Sequence, residues 1–470
     1  PLASSTTTEL DRLFDAPLLA PALVAARIVS LSDGRTVYAR NAGKLVMPAS
    51  NMKVLTAATA LAELGPEYVF RTRVAKLSND SLVLIGSGDP SLDESRLQDL
   101  AKAVKEAGIN RVTRIVADAS HFDDQTLGEG WQWDDESFGF SAQVSGLNLN
   151  SNVARLTITP GAKDGDVATI ASDGYLSVVG EVRTTERGEG GARAERRRGR
   201  NEVEVSGRVK AGAEPASLSV TVEDPALYAA FRFSRALRDA GVRIDDEANL
   251  TVGTAPANAQ VLAETASAPL SELCKRFLKS SDNLYGECFL KALGAEKKSV
   301  PGTSANGAAV VRTWLAGKKI AVGGLVQADG SGLSRLDEVT PRLMVETLTA
   351  ASTLPGFAVA LPVGGFDGTL SRRFQKTAAE GNVRAKTGTI LGVSSLSGYV
   401  TTKAGEKLVF SILMNHFDRA AGASVARQVQ DSIVLALMDT PRADVTLAPD
   451  PPKKKKTATT TKKKRTRKRR

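Results

Sequence analysis

The stretch SNMKVLTAATALAEL, residues 50–64, begins with Ser50 and carries Lys53 three positions later. Its Ala, Leu and Met content predicts a helix that ends at Gly65-Pro66. The two side chains then lie one turn apart on the same helix face. The positive end of the helix favours a developing negative charge on the serine, so the pair predicts a serine nucleophile with a lysine base. The alternative is that Ser50 is only a helix cap and Lys53 a solvated residue.

Strand and helix signals continue on both sides of this helix, and they predict an α+β architecture with an insertion. Paired strands are expected over residues 18–41 and 70–92, a helix and a strand over 93–118, and a strand-rich region over 150–220. The charged, Gly-rich run ERGEGGARAERRRGRN inside that region predicts an exposed loop. Further elements are expected as helices at 223–241, 268–293 and 422–438 and as a hairpin formed by SSLSGYVTT and KLVFSILMN.

Two further short motifs follow in order, Ser281-Asp282-Asn283 and Lys386-Thr387-Gly388-Thr389. The Ser281 hydroxyl can relay a proton to a leaving amine, and the Asn283 amide can hold a peptide bond. Lys386 can offer charge to a terminal carboxylate, and Gly388 would let a substrate backbone approach closely. Burial, together with repulsion from Lys386, would lower the pKa of Lys53 towards its neutral form. Each motif alone also fits a plain turn or an edge strand.

Composition excludes several other chemistries. A chain of 470 residues is too long for one ordinary core and predicts two or three domains. Two cysteines and two histidines are too few for a Cys/His zinc site, and no histidine stands in a context that suggests a Ser-His-Asp triad. We therefore expect no metal and no cofactor, and a lysine as the base. No apolar run reaches the roughly 18 residues that a membrane span needs.

The positive charge of the chain is concentrated in one segment. Residues 451–470 contain 12 basic and no acidic residues, whereas the remainder carries 50 basic against 52 acidic ones. The nearly neutral body argues against nucleic-acid binding, which the pI of about 9.5 would otherwise suggest. The segment itself predicts a disordered tail that attracts anionic membrane or wall polymers, or else only a solubilising tail.

Taken together, the three motifs resemble those of the serine penicillin-recognising enzymes. Four further segments are similar to those of class C low-molecular-weight penicillin-binding proteins, the D-Ala-D-Ala carboxypeptidases/endopeptidases: LIGSGDPSL at 84–92, GWQWDD at 130–135, ADGSGLSR at 328–335 and LPVGGFDGTL at 361–370. The resemblance extends to about residue 440. The 227 residues between Lys53 and Ser281 fit the large insertion of this family and are too many for a class A β-lactamase.

The resemblance implies a serine D,D-peptidase that forms an acyl-enzyme on Ser50, cleaves D-Ala-D-Ala termini or D-Ala-diamino acid cross-links of peptidoglycan, and is inhibited by β-lactams. It implies that Lys53 is the base and Ser281 the proton relay. The backbone N–H groups of Ser50 and Thr389 would form the oxyanion hole. The implied substrate-binding residues are Asn283, Lys386, Thr387, Gly388, Thr389 and, for the free amine of a diamino acid, Asp135, with Asp134 close behind.

The resemblance also implies the domain plan and the location. The location is extracytoplasmic, in the periplasm or a similar space, with membrane or wall association left open. An esterase or β-lactamase, or a non-catalytic wall-binding protein, remains an alternative. The implied domains are a penicillin-binding catalytic domain (1–68 and 262–441), an inserted second domain (69–153 and 217–261) and a small β-rich third domain nested in the second (154–216). The disordered polybasic tail (442–470) lies outside the resemblance and is predicted from its composition.

The two cysteines flank the second motif at equal distances. Cys274 lies seven residues before Ser281 and Cys288 seven residues after it. If the flanking helices form a hairpin, the sulfurs could face each other and form a disulfide, as an oxidising compartment allows. Two buried free thiols are the other interpretation, and helix rotation cannot be deduced from sequence.

Overall fold

The computed structural model describes residues 3–187, 190–417 and 422–439. The predicted polybasic tail lies outside these residues. The described part mixes helices with several separate sheets, so the α+β class expected from the sequence is confirmed. No helix within it has the length and apolar character needed to cross a membrane.

Four of the described helices, those that start at Glu94, Pro225, Ser304 and Pro341, begin at a side chain that caps the helix. The Asp93 side chain accepts a hydrogen bond from the Arg96 backbone N–H at 3.0 Å, and Thr340 does the same for Leu343 at 3.1 Å. The helices are α1 (Ala3–Phe14), α2 (Met52–Glu63), α3 (Glu94–Glu106), α4 (Pro225–Asp239), α5 (Leu270–Lys279), α6 (Asn283–Lys297), α7 (Ser304–Gly317), α8 (Pro341–Ala351), α9 (Phe357–Ala360) and α10 (Gly422–Met438).

The strands are short and β-branched residues recur in them. They are β1 (Leu23–Ser30), β2 (Thr36–Arg40), β3 (Arg71–Ser78), β4 (Ser81–Gly86), β5 (Arg111–Asp118), β6 (Val153–Thr159), β7 (Thr169–Ala171), β8 (Ser177–Gly180), β9 (Arg183–Thr185), β10 (Gly191–Arg196), β11 (Glu202–Lys210), β12 (Ala216–Thr221), β13 (Arg243–Val252), β14 (Gln260–Ala266), β15 (Leu325–Val326), β16 (Glu338–Val339), β17 (Val383–Ile390), β18 (Val393–Thr401) and β19 (Lys407–Asn415).

A five-stranded antiparallel sheet in the order β17-β18-β19-β1-β2 joins the two ends of the chain. Its strands are apolar on both faces because helices cover both. Val409 and Leu413 of β19 share a core with α2, α5, α6 and α8, whereas Ile412 and Met414 share a core with α1 and α10. The edge strand β17 carries the Lys-Thr-Gly motif and lies against the short 3₁₀ turn Ala49–Asn51 that precedes α2.

A second five-stranded sheet, in the order β13-β5-β4-β3-β14, is formed from the long insertion between α2 and α5. Smaller sheets, β12-β6-β7 and β10-β11-β8 with β9, belong to the same insertion. Leu84, Val205 and Phe233 from these parts share one apolar core with α3 and α4. The domain boundaries given above stay predictions.

The charged run at 186–201 is not simply an exposed loop. Its residues 191–196 form β10, which pairs antiparallel with β11 from Gly191 opposite Arg208 to Arg196 opposite Val203. The sequence interpretation was wrong here because charge pattern alone hides the half-buried Ala192 and Ala194 and the backbone pairing that a neighbouring strand offers.

Both cysteines are free and fully buried. Burial raises the pKa of each thiol, and the Cys288 sulfur accepts a 3.5 Å contact from the Asn148 amide. Of the two interpretations left open by the sequence, two buried free thiols is the one the structure supports.

Candidate active site

Ser50 and Lys53 meet as the helical spacing predicts. Ser50 lies in the 3₁₀ turn that leads into α2, and Lys53 lies in the first turn of α2. The Lys53 side chain is fully buried, and its Nζ lies 2.9 Å from Ser50 Oγ. Nζ also donates to Asn283 Oδ1 at 2.6 Å and to the Ser331 carbonyl oxygen at 2.6 Å. The lysine is therefore held by two fixed acceptors while it faces the serine hydroxyl.

Burial lowers the pKa of Lys53 to about 8 because the charged form is desolvated. Nearby carboxyl groups partly offset this effect and raise the pKa; they belong to Asp329, Glu287, Asp282 and Asp337. Repulsion from Lys386 was expected as a second cause of a low Lys53 pKa, but it is not among the causes of the shift. The repulsion acts on Lys386 instead, whose pKa is lowered well below its usual value by burial and by Lys53.

Lys386 connects the second and third motifs. Its Nζ donates to Ser281 Oγ at 2.9 Å and to the Thr387 carbonyl oxygen at 2.8 Å, and its side chain is fully buried. Ser281 adopts a backbone φ of 60°, which turns the chain between α5 and α6. The Lys386 amino group therefore lies behind Ser281 and Thr387, and any effect on a bound carboxylate acts from there.

Thr387, Gly388 and Thr389 line a cleft next to Ser50, together with Ser281. The cleft has a volume of about 600 Å³. From the sequence, Gly388 was expected to let a substrate backbone approach closely. In the structure, the atoms that approach Gly388 closely belong to the protein. A Cβ there would lie 2.2 Å from Ser395 Oγ and 2.9 Å from the Ser50 backbone nitrogen. Gly388 thus lets β17 pack against the turn that carries the nucleophile.

Asn283 begins α6 and is fixed at both ends of its amide. Its Oδ1 accepts from Lys53, and its Nδ2 donates to the Phe140 carbonyl oxygen at 2.8 Å. The second motif thereby joins the base to the segment 130–141, which contains Asp135. Asp135 itself is half-buried, and its pKa is raised by burial and by Asp134, while the positive charge of Arg335 opposes the shift.

Buried carboxyl groups below Lys53 are the functional feature that the motifs did not reveal. Glu287 accepts hydrogen bonds from the Gly330 backbone N–H at 3.0 and 3.1 Å, and its pKa is raised by burial and by Asp329. Asp329 accepts from the Ser331 and Gly332 N–H groups at 3.0 and 2.6 Å. Two sequence signals existed: Glu287 lies one helical turn after Asn283, and Asp329 belongs to the ADGSGLSR segment.

Asp329 also reaches the Asp135 segment, because the Trp131 indole N–H donates to Asp329 Oδ2 at 2.9 Å. Arg335 donates to Gln132 Oε1 at 3.0 Å and so fastens the same segment a second time. Asp134 is exposed in the same turn, so neither acidic residue is excluded from the role expected of Asp135.

The nested β-rich part of the insertion holds the other end of this segment. Arg198 pairs with Glu136 at 2.9 Å, and the Thr221 hydroxyl donates to the Glu136 carbonyl oxygen. The Arg196 backbone N–H donates to Ser137 Oγ at 2.9 Å. The segment 130–141 is therefore fixed from both sides, by the 328–335 loop and by the small sheets.

Within the described ranges, no three His, Cys, Asp or Glu side chains are grouped so that they could hold a metal ion. The groups at or next to Ser50 that could act chemically are hydroxyls, amides, backbone N–H groups and amines, and guanidinium groups and one carboxyl group line the cleft farther away. A serine beside a desolvated lysine can attack a carbonyl carbon, and the neighbouring hydroxyl of Ser281 can carry a proton.

A sheet covered by helices on both faces, with these three motifs meeting at its edge strand, defines a penicillin-binding protein of the low-molecular-weight class. The comparisons with known proteins identify the family. The chain belongs to the D-Ala-D-Ala carboxypeptidase 3 (S13) family, whose model matches residues 6–439. It is therefore a hydrolase of a carboxypeptidase family, and the resemblance stated from the motifs is confirmed.

Relatives support this assignment over most of the chain. A D-alanyl-D-alanine carboxypeptidase of Actinomadura sp. (strain R39) is 36% identical over 459 residues, which cover 92% of this chain and 84% of that protein. The crystal structure of penicillin binding protein 4 (dacB) from Haemophilus influenzae matches with a TM-score of 0.78 at 26% identity, covering 90% of this chain and 99% of that one. A structure of the same protein complexed with a β-lactam matches with a TM-score of 0.73 at 24% identity, covering 91% and 99%.

Proposed function

We propose that this protein is a serine D,D-peptidase that forms an acyl-enzyme on Ser50 and cleaves D-Ala-D-Ala termini, D-Ala-diamino acid cross-links, or both, in peptidoglycan. The observation that carries the proposal is the fully buried Lys53 Nζ at 2.9 Å from Ser50 Oγ. Its pKa of about 8 leaves a useful neutral fraction at physiological pH.

The proposed first step is acylation. The N–H groups of neutral Lys53 are donated to Asn283 Oδ1 and the Ser331 carbonyl oxygen, so its lone pair faces the Ser50 hydroxyl. Lys53 takes that proton while Ser50 Oγ bonds to the carbonyl carbon of the penultimate D-Ala. The oxyanion is stabilised by the backbone N–H groups of Ser50 and Thr389, which border the same cleft.

The tetrahedral species then collapses. The C–N bond breaks, and Ser281, whose hydroxyl is held by Lys386 Nζ at 2.9 Å, passes its proton to the leaving amine. The proton that Lys53 took from Ser50 replaces it, so that Lys53 is neutral again and Ser281 keeps its hydroxyl. Water later attacks the ester carbonyl, which releases the acid and restores the Ser50 hydroxyl. Thr387 and Thr389 hold the carboxylate of the leaving residue, with Lys386 behind them, and Asn283 contacts the peptide on the acyl side.

Selectivity for the stem peptide is assigned to Asp135. A carboxylate in the segment that Asn283 and Trp131 hold beside the cleft can bind the free amine of a diamino acid. Asp134, in the same turn, is the second candidate.

The test is covalent trapping by a β-lactam, which mimics the D-Ala-D-Ala end and leaves an acyl group that water removes slowly. Intact mass after incubation with benzylpenicillin should show one adduct per chain, and peptide mapping should place it on Ser50. Ser50→Ala should show no adduct, whereas Ser280→Ala, which changes an exposed neighbouring serine, should keep it. An adduct that persists in Ser50→Ala would refute the assignment. Lys53→Arg should nearly abolish acylation while the fold is kept, since arginine stays protonated.

The location and the tail belong to the same proposal. A peptidoglycan substrate requires the protein to work outside the cytoplasm, and 12 basic residues after position 450 would attract anionic lipid or wall polymers. A chain ending at Asp450 should keep its peptide hydrolysis but lose salt-dependent sedimentation with anionic vesicles or sacculi. Unchanged sedimentation on truncation would leave the tail without this role.

A further inference from the structure

The cleft extends beyond Ser50 and Thr389 towards the C-terminal helix. Its far wall is formed by residues 368–373 and by the first half of α10, including Arg372 and Arg427. The α10 part of this wall is hydrogen-bonded to the strand pair β17–β18, because the Gln430 amide donates to Ser394 Oγ at 3.1 Å. Ser394 lies opposite Thr389 in the sheet. The described lining of this cleft includes no residue of the segment 130–141.

The far wall carries uncompensated positive charge. Arg373 is already paired, since it donates to Asp431 Oδ1 at 2.6 and 2.9 Å, so these two charges cancel. Arg372 and Arg427 are exposed and line the cleft, and among the described residues neither has an ion-pair partner within 4.0 Å. The charge of Arg427 still acts on Asp431 from a greater distance, since it opposes the rise that burial causes in the pKa of that carboxyl. Two guanidinium groups without a direct ion pair in the described part of the chain thus line the same cleft as Ser50, whereas Asp135 does not line it.

The position of Arg372 and Arg427 relative to Ser50 and Thr389 indicates which part of a substrate they would bind, namely the leaving group. If Thr387 and Thr389 hold the carboxylate of the residue that leaves, then the rest of a longer leaving group must extend past Thr389, which is where α10 lies. A leaving D-Ala ends at its own carboxylate and does not reach this wall. The leaving group of a cross-linked substrate is a whole peptide, and it carries at least one further carboxylate.

We propose that Arg372 and Arg427 form a subsite for a second carboxylate on the leaving peptide of cross-linked substrates. This inference rests on the proposed function, and it assigns the cleft beside α10 to the peptide released in endopeptidase cleavage. The subsite would favour leaving groups that are acidic beyond the scissile residue over those that are neutral there.

The experiment compares two synthetic substrates with the same acyl part. In one, the leaving amine belongs to a diamino acid extended by a peptide with a terminal carboxylate; in the other, that terminus is a carboxamide. The measured quantity is the ratio of the two kcat/KM values. We expect the wild type to prefer the carboxylate, and Arg372→Ala or Arg427→Ala to reduce the preference about fivefold each.

Two further variants sharpen the comparison. Arg427→Glu should invert the preference towards the carboxamide, whereas Arg193→Ala, an exposed arginine of β10 in the inserted part, should keep the wild-type ratio. Equal kcat/KM values for both substrates in the wild type, or equal losses on both in the Arg372 and Arg427 variants, would overturn the subsite. Benzylpenicillin adducts are measured on the same preparations. A wild type that forms no Ser50 adduct defeats the proposed function, and one that forms the adduct but shows no preference defeats only the subsite.

Discussion

Acylation of Ser50 should depend on pH through the protonation of Lys53. The pKa of Lys53 is about 8, compared with 10.5 for an ordinary lysine. At pH 7 this shift raises the neutral fraction from roughly 0.03% to roughly 10%, a gain of about 300-fold that corresponds to about 3 kcal/mol. Only the neutral amine can accept the serine proton, so the rate constant should rise about tenfold per pH unit below 8 and level off above it.

The assay is the second-order rate constant for acylation by a chromogenic β-lactam, followed by stopped flow between pH 6 and 10. Circular dichroism at each pH provides the control that the fold is intact over the range. A rate constant that does not change between pH 6 and 8, or one that keeps rising up to pH 10, would refute the argument. The first result would mean that no group with this pKa controls the step, and the second that Lys53 titrates like a solvated lysine.

Three other predictions concern separate features. Gly388→Ala should lower the rate constant of acylation at least tenfold, because the new Cβ would lie 2.9 Å from the backbone nitrogen of Ser50. The control Gly43→Ala, whose Cβ would meet nothing within 4 Å, should be acylated at the wild-type rate. Asp135→Ala should reduce kcat/KM on peptides with a free side-chain amine about tenfold more than on acetylated ones, and equal losses would remove Asp135 from that role. Cys274 and Cys288 should not react with a thiol reagent such as DTNB in the native protein, and both should react after denaturation. Labelling of either cysteine before denaturation would contradict their burial.

The part of the site that sequence predicts is the part fixed by local spacing. Ser50 and Lys53 are one turn apart on a helix, so their contact follows from helix geometry once the helix is recognised. Ser281 and Lys386 are 105 positions apart, and no local rule brings them to 2.9 Å. That the two residues belong to one site was expected only through the resemblance to a family with the same three motifs, and their direct contact was not predicted.

Other features were not predicted from the sequence because they depend on how distant segments of the chain pack together. The carboxyl groups of Glu287 and Asp329 influence Lys53 only after α6 and the 328–335 loop meet beneath α2. Gly388 was expected to leave room for a substrate backbone, whereas the close neighbour in the structure is Ser395, whose distance is set by strand pairing. Strand β10 was missed because its partner, not its own charged sequence, makes it a strand.

The contacts from Arg196 and Arg198 to the side chains of Ser137 and Glu136 have a consequence for the design of a shorter protein. The small sheets β12-β6-β7 and β10-β11-β8 come from one part of the insertion, so their sequence could be deleted and replaced with a short linker. They also support the structure elsewhere, because they hold in place the segment 130–141, whose Phe140 carbonyl oxygen accepts from Asn283. A shortened protein without them would keep Ser50, Lys53 and Ser281, yet it would lose the contacts that fix the segment of Asp135, the residue proposed to select the stem peptide.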